Sequence, residues 1–198
     1  MNRAQSGSAD TAGQILDAAE RLVQVNGFNG FSYADIAAEL SLTKAALHYH
    51  FSGKSDLGRA LIDRYADRFA AALARIDREE PGAPEKLRAY ASLYGEVLRA
   101  DRMCLCGMLA AEYRTLPEPM REAVIGFFDA SETWLAWVLK SGVEAGSLSF
   151  TGSAEETARM LVGALEGAML VARPYRDVAR FEATAHQLLA TLESGPAG

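Results

Sequence analysis

Apolar residues recur along this chain with the 3.6-residue period of an α-helix, and strand-favouring runs are scarce. Ile15, Ala18, Ala19, Leu22 and Val23 draw the first stripe. The helix that carries it is expected to be capped by Asp10 or Thr11 and ended by Asn26-Gly27, with residues 1–9 as a small, polar, disordered tail. Phe28 and Phe31 bracket a turn at Asn29-Gly30. Two short helices come next. Ser32 caps the first, with Asp35 three residues on as a capping-box variant, and Ile36, Ala37 and Leu40 share one face. Ser41-Leu42 makes a turn, and Thr43 caps the second helix, Lys44 to Phe51, which turns Leu47 and Phe51 inward at i, i+4.

The later stripes are longer. Leu57, Leu61, Tyr65, Phe69, Leu73 and Ile76 keep one face for some five turns until Glu80-Pro81-Gly82-Ala83-Pro84 breaks the pattern. Such a helix links the small N-terminal group of helices to the remainder of the chain. Helices are then expected over Glu85–Ala100, Met103–Arg114, Met120–Val143, Ala154–Arg173 and Asp177–Glu193, with a glycine- and serine-rich loop near Ser141–Ser153. The predicted fold is all-α: an N-terminal three-helix unit with a helix-turn-helix, residues 1–54, and a larger helical bundle that dimerises, residues 55–198.

Composition narrows the function classes. The chain has 198 residues, enough to bury a real core, and no apolar run long enough to span a membrane. The first ten residues lack the hydrophobic segment of a secretory signal, so the expected location is cytoplasmic. A net charge of −6 argues against a protein that coats nucleic acid indiscriminately. Residues 1–60 are themselves near neutral, so any affinity for DNA must come from a local patch. Ser41–Lys54 supplies one: Lys44, Lys54, His48 and His50, with no carboxylate. A short helix with an apolar inner face and an acid-free outer face suits a major groove.

The residues from Gly27 to Leu57 resemble the DNA-binding domain of the TetR family of bacterial transcriptional regulators. The match rests on Gly27-Phe28 after the first helix, Asp35-Ile36-Ala37 in the second, Thr43-Lys44-Ala45-Ala46-Leu47 running into Tyr49-His50-Phe51, and Lys54 with Leu57. Beyond that segment the chain matches the family only in length and helical organisation. Ser41-Leu42 stands where the family usually has Gly-Val, and His48 where it usually has Tyr. The resemblance implies that Lys44, Ala45, Ala46 and Tyr49 face base edges in double-stranded DNA, with the alanine methyls against thymine methyls. It implies that Ser32, Tyr33, His48, His50 and Lys54 hold the phosphate backbone, Lys54 partly through its amide at a helix N-terminus. The expected site is a palindromic operator, because one reading helix covers only a half-site. The structural alternative is an ordinary surface helix pair with a few lysines.

Within the larger bundle, Met103, Met108, Leu109, Tyr113, Phe127, Phe128, Trp134 and Met169 are either plain core or the lining of an adaptable apolar pocket. The resemblance implies a small-molecule effector there, and Glu112 is the expected polar anchor. Gly163-Ala164 and Gly167-Ala168, one turn apart, would let a partner backbone approach. With Phe181, Leu188 and Leu189 of the last helix they predict a four-helix homodimer interface, against close packing within one chain. Cys104 and Cys106 are expected to be buried core rather than a redox pair. His48 and His50 point to opposite sides of their helix, which argues against a metal site. Glu182 and His186 form an i, i+4 pair read as a helix-surface contact. No cofactor is implied, and neither a Glu-x-x-His pair, a nucleophile elbow nor a phosphate loop supports an enzyme. A DNA-binding regulator, most simply a repressor released by a largely apolar ligand, is the reading. A helical scaffold without DNA binding is the alternative, and it leaves the acid-free helix unexplained.

Overall fold

The computed structural model describes residues 3–193, and side chains from Asp10 onward. Among the described residues the architecture is all-α, with a single isolated bridge between Leu148 and Glu193. The helices are α1 (Arg3–Asn26), α2 (Tyr33–Leu40), α3 (Lys44–His50), α4 (Lys54–Glu79), α5 (Ala83–Arg99), α6 (Leu105–Ala111), α7 (Glu118–Glu144), α8 (Ala154–Ala172) and α9 (Val178–Ala190). The backbone clusters into two compact units. One holds the chain through Ala66 together with Leu105–Ile125; the other holds Asp67–Cys104 and the chain from Gly126 onward.

In the first unit α1 packs against α2 and α6, and α2 against α3. Ile15, Ala18, Ala19 and Val23 are buried as their period predicts, and Phe28 meets Phe31 edge-on, centroids 6.0 Å apart. Arg64 on α4 reaches α1, 2.8 Å from Asp17 and 3.1 Å from Glu20. The helix start differs from expectation. α1 begins at Arg3, and Asp10 lies inside it with its carboxylate accepting from the Gln14 amide one turn on. Met1 and Asn2, the rest of the expected tail, lie outside the described residues.

In the second unit α5, α8 and α9 pack on one another. Tyr90, Tyr94 and Leu87 of α5, Leu161, Leu165 and Met169 of α8 and Phe181 of α9 are all buried. Ser153 and Glu156 form a full capping box at the start of α8. Asp177 caps α9 by accepting from the Arg180 amide. The stretch expected as one helix from Met103 to Arg114 is instead α6 followed by a single 3-10 turn, Tyr113–Thr115. Pro174 does not follow α8 directly but sits in a second such turn, Arg173–Tyr175. His186 and Glu182 are not the pair expected, because Glu182 is ion-paired to Arg99 of α5.

Candidate functional site

The reading helix is built by local chemistry. α2 ends in a Schellman-type turn: the Leu42 amide donates to Ala37 O at 2.9 Å and the Ser41 amide to Ala38 O at 3.4 Å. That turn requires a left-handed residue, and Ser41 fills it at φ 54°, ψ 37°. A serine there costs roughly 1 kcal/mol relative to glycine. Thr43 then restarts the helix, its Oγ1 accepting from the Ala46 amide at 3.1 Å. Leu47, fully buried, fixes the rotation of α3. What remains outside is Lys44, Ala45, His48 and Tyr49, with Ala46 and His50 half-buried. Tyr49 is 81% exposed, so it is no core residue. His48 and His50 do turn apart: His48 lies against the Tyr33 ring and His50 against Tyr49, centroids 4.9 and 5.2 Å away.

Three of the expected phosphate contacts spend their side-chain donors within the unit. Ser32 donates both its amide, at 2.6 Å, and its hydroxyl, at 2.8 Å, to Asp35 Oδ2, and these bonds hold the Asp35 carboxyl below the usual carboxylate range. The Tyr33 hydroxyl donates to Phe51 O at 3.1 Å, tying α2 to the end of α3; burial, with a smaller push from Asp56, raises it to about 12. A phenol has one proton, so this bond leaves none for a phosphate. Lys54 turns its ammonium inward, donating to Phe28 O and Phe31 O beneath the two phenylalanine rings, 4.6 and 4.2 Å from their centroids. Burial lowers its pKa against the opposing pull of Glu112 and Asp35. It locks the α1–α2 turn onto the start of α4, with two of its three N–H donors committed inside the unit. Lys44 and His48 keep exposed side chains on the outer face of α3, and His50 is half-buried. His48 Nδ1 lies 3.1 Å from Ser52 O, and a carbonyl can only accept, so Nδ1 carries a proton. Nε2 then donates to a phosphate only in the imidazolium form.

The nominated ligand residues divide between the units. Met108, Leu109, Glu112 and Tyr113 belong to the first; Met103, Phe127, Phe128, Trp134 and Met169 belong to the second. Glu112 is committed elsewhere. Its carboxylate accepts from the Phe28 amide at 2.6 Å and from the Asn29 amide at 3.3 Å, and Asn29 Nδ2 donates to Thr115 beside it. It caps the turn that Gly27 makes at φ 83°. A Cβ at Gly27 would come within 2.7 Å of Glu112 Oε1, so the glycine meets both demands. Leu109 is fully buried, Met108 half-buried, and Tyr113 half-exposed beneath Arg121.

In the second unit the aromatic rings do gather. Phe69 meets Phe127 at 5.1 Å and Tyr90 at 5.9 Å, Phe127 meets Phe128 at 5.5 Å, and Trp134 stacks on Tyr90 at 5.7 Å. The Trp134 indole donates to Asp77 Oδ2 at 3.0 Å, and Lys86 pairs with the same carboxylate. Met103 and Met169 are buried. Sequence reasoning missed the polar members of this cluster: Tyr90 and Tyr94, whose hydroxyls are 3.1 Å apart, Ser131, Cys104 and Glu166. One signal was available. Glu166 is the sole charged residue between Arg159 and Arg173. Both cysteines are buried, Cys104 in the second unit and Cys106 in the first.

On α8, Gly163 and Gly167 have open space about them, and a Cβ added at either would meet no atom of the described residues within 4 Å. Met160, Leu170 and Val171 are exposed beside them. Ala164, Ala168 and Leu188 are half-buried. Phe181 and Leu189 correct the expectation, because both are buried by their own unit, where α9 packs on α5 and α8.

A buried helix pair that presents a short, acid-free third helix defines a helix-turn-helix DNA-binding protein. The comparisons place it within that class. Residues 15–61 match the family model for bacterial regulatory proteins of the tetR family, and residues 83–188 match that for the tetracyclin repressor-like C-terminal domain. The chain belongs to the TetR family of transcriptional regulators, which are not enzymes. It is similar to a TetR-family regulator of Agrobacterium tumefaciens, with a TM-score of 0.91 and 33% identity over 94% of this chain and all of the other. A Legionella pneumophila TetR regulator gives 0.83 and 32%, over 90% of this chain and 95% of that one. The transcriptional regulator AcuR of Cereibacter sphaeroides is 27% identical over 74% of this chain and 69% of its own length. No helix among the described residues is long and apolar enough to cross a membrane.

Proposed function

We propose that this regulator is a homodimeric repressor that binds a palindromic operator through α3 and releases it when a small, largely apolar effector enters the second unit. Residues 1–54 are the DNA-binding part, and residues 55–198 sense the ligand and dimerise. The observation that carries the DNA reading is Tyr49: a tyrosine 81% exposed, on a helix whose neighbours Lys44, Ala45 and His48 are also outward, has no structural task to explain it. Dimerisation is supported by Gly163, Gly167, Met160, Leu170 and Val171 on α8, an apolar strip lacking any intrachain cover over its glycines.

The proposed coupling runs through α4. It is one uninterrupted helix from Lys54 to Glu79, and its first residue is fastened to the carbonyls of Phe28 and Phe31. A ligand that favours a displaced α4 changes the separation of the two α3 helices in a dimer, so they no longer fit successive major grooves. The ligand acts only through its preference between the two states; a roughly 100-fold preference supplies about 2.7 kcal/mol. Operator selection from genomic DNA, with binding then measured across a salt series, tests the reading. A steep loss of affinity with salt is expected, and salt-independent binding contradicts the phosphate roles of His48 and His50. Gly163→Glu is expected to give monomers in sedimentation; a variant that remains dimeric rejects the interface.

A further inference from the structure

We propose that Glu166 is the anchor of the effector site, and that the effector is an apolar molecule carrying a protonated amine. This rests on the reading of the second unit as the ligand-responsive part and gives that ligand a chemistry.

Glu166 Oε1 is buried and accepts no hydrogen bond; among the described residues it is the one such side-chain atom of the second unit. Four other acidic groups of that unit are engaged. Asp77 takes Trp134 and Lys86, Glu155 takes Lys140, Glu156 takes Ser153, and Glu182 takes Arg99. The hydrogen-bonding neighbour of Glu166 is the buried Cys104 thiol, a weak donor. A buried carboxyl oxygen left without a donor is a group that a ligand can stabilise by supplying one.

The surroundings select among candidates for that ligand. Tyr90 and Tyr94, both buried and bonded to each other, feel the Glu166 charge, and Phe69 packs edge-on against both rings, while Trp134 stacks on Tyr90. Tyr90 is further hydrogen-bonded to Ser131. An anionic ligand meets the like charge of a carboxylate, and the Lys86 ammonium beside Trp134 is already paired with Asp77. A neutral hydrocarbon leaves Oε1 as it stands. An ammonium on an aromatic or aliphatic body supplies both the missing donor and a positive charge for the ring faces. Burial holds the unoccupied carboxyl near neutrality, at about 7, so it is readily kept until a cation arrives to ionise it.

The test uses the full-length protein and three probes of one shape: 2-phenylethylamine, 2-phenylethanol and phenylacetate, monitored by titration calorimetry and by Trp fluorescence. The amine is expected to bind at least about tenfold more tightly than the alcohol, with phenylacetate weakest. Glu166→Gln is expected to erase the preference for amine over alcohol while leaving the alcohol unchanged; Glu166→Asp, which keeps the charge and shortens its reach, is expected to weaken the amine alone. The proposal is overturned if amine and alcohol bind equally, if no amine binds, or if E166Q retains the amine preference. Operator release separates this from the broader reading. Release by the alcohol but not by the amine rejects Glu166 as anchor and keeps a ligand-responsive repressor. Failure of a broad panel of apolar compounds of every charge to release operator rejects both.

Discussion

Glu112 and Glu166 each turn a carboxylate toward the interior of their unit, and the two units treat that carboxylate differently. Glu112 receives two backbone amides from the turn after α1 and stands within electrostatic reach of Lys54, itself tied to the carbonyls of the same turn. Each charge there serves geometry: it holds the loop that sets where α2 and α3 begin. Glu166 lies on a helix with no other charge from Leu161 to Ala172, keeps one oxygen without a partner, and is hydrogen-bonded to the Cys104 thiol. A satisfied inward charge fixes a backbone; an unsatisfied one is tolerated where something else is to be bound.

The largest expected effect lies on the satisfied side. Glu112→Ala leaves the Phe28 and Asn29 amides without their acceptor and takes a negative charge from near the Lys54 ammonium, and is expected to destabilise the first unit by about 3 kcal/mol, seen as a lowered thermal midpoint. An unchanged midpoint would show that Glu112 is no more structural than Glu166, and the comparison would collapse.

Glu166 gives the next largest effect, and it has a sign. Its folded carboxyl holds a proton up to about pH 7, whereas in the unfolded chain a glutamate releases it near 4.5. The folded state therefore binds more protons between these values, and stability falls as pH rises through that window, by at most about 3 kcal/mol. Chemical denaturation at pH 5 and pH 8 measures it. Glu166→Gln is expected to flatten that decline and Glu112→Gln to leave it in place; a decline of equal size in E166Q assigns it to other groups.

Tyr49→Ala sharpens the comparison from outside the core. An exposed side chain that contributes only to recognition is expected to cost about 10- to 100-fold in operator affinity, with the thermal midpoint and dimer unchanged. Loss of folding would contradict its exposure. The smallest effect is expected at the turn between α2 and α3. Ser41→Gly removes the left-handed penalty of a residue at φ 54° and is expected to stabilise the first unit by about 1 kcal/mol.

Much of this molecule was legible from local pattern. Thr43 as a cap, Leu47 as the inward pin, the break at Pro81 and Pro84, and the outward set from Lys44 to Tyr49 all follow from spacing within a few residues. The helix-turn-helix was readable even with a serine at the left-handed position, because three backbone and side-chain bonds around it are specified by neighbours in sequence. The polar contacts were less legible. Ser32, Tyr33 and Lys54 looked like phosphate ligands because their donor types suit that role, yet each commits its side-chain donor to an acceptor inside the unit. For Tyr33 and Lys54 those acceptors lie 18 to 26 residues away, a pairing no periodicity encodes.

The sequence by itself determined most of the helices, the Ser32 and Thr43 starts of α2 and α3, and the face of α3, since these rest on interactions a few residues apart; the family followed from the motif between Gly27 and Leu57. Only the tertiary structure decided which inward glutamate is satisfied, that Phe181 and Leu189 pack into their own unit, and that Gly163 and Gly167 stay uncovered by the chain. The amides that satisfy Glu112 lie 84 and 83 residues away in the chain, and Phe181 is covered by helices α5 and α8. Burial and hydrogen-bond satisfaction are set by what packs from another helix, and a single chain's hydrophobic period carries no record of that partner.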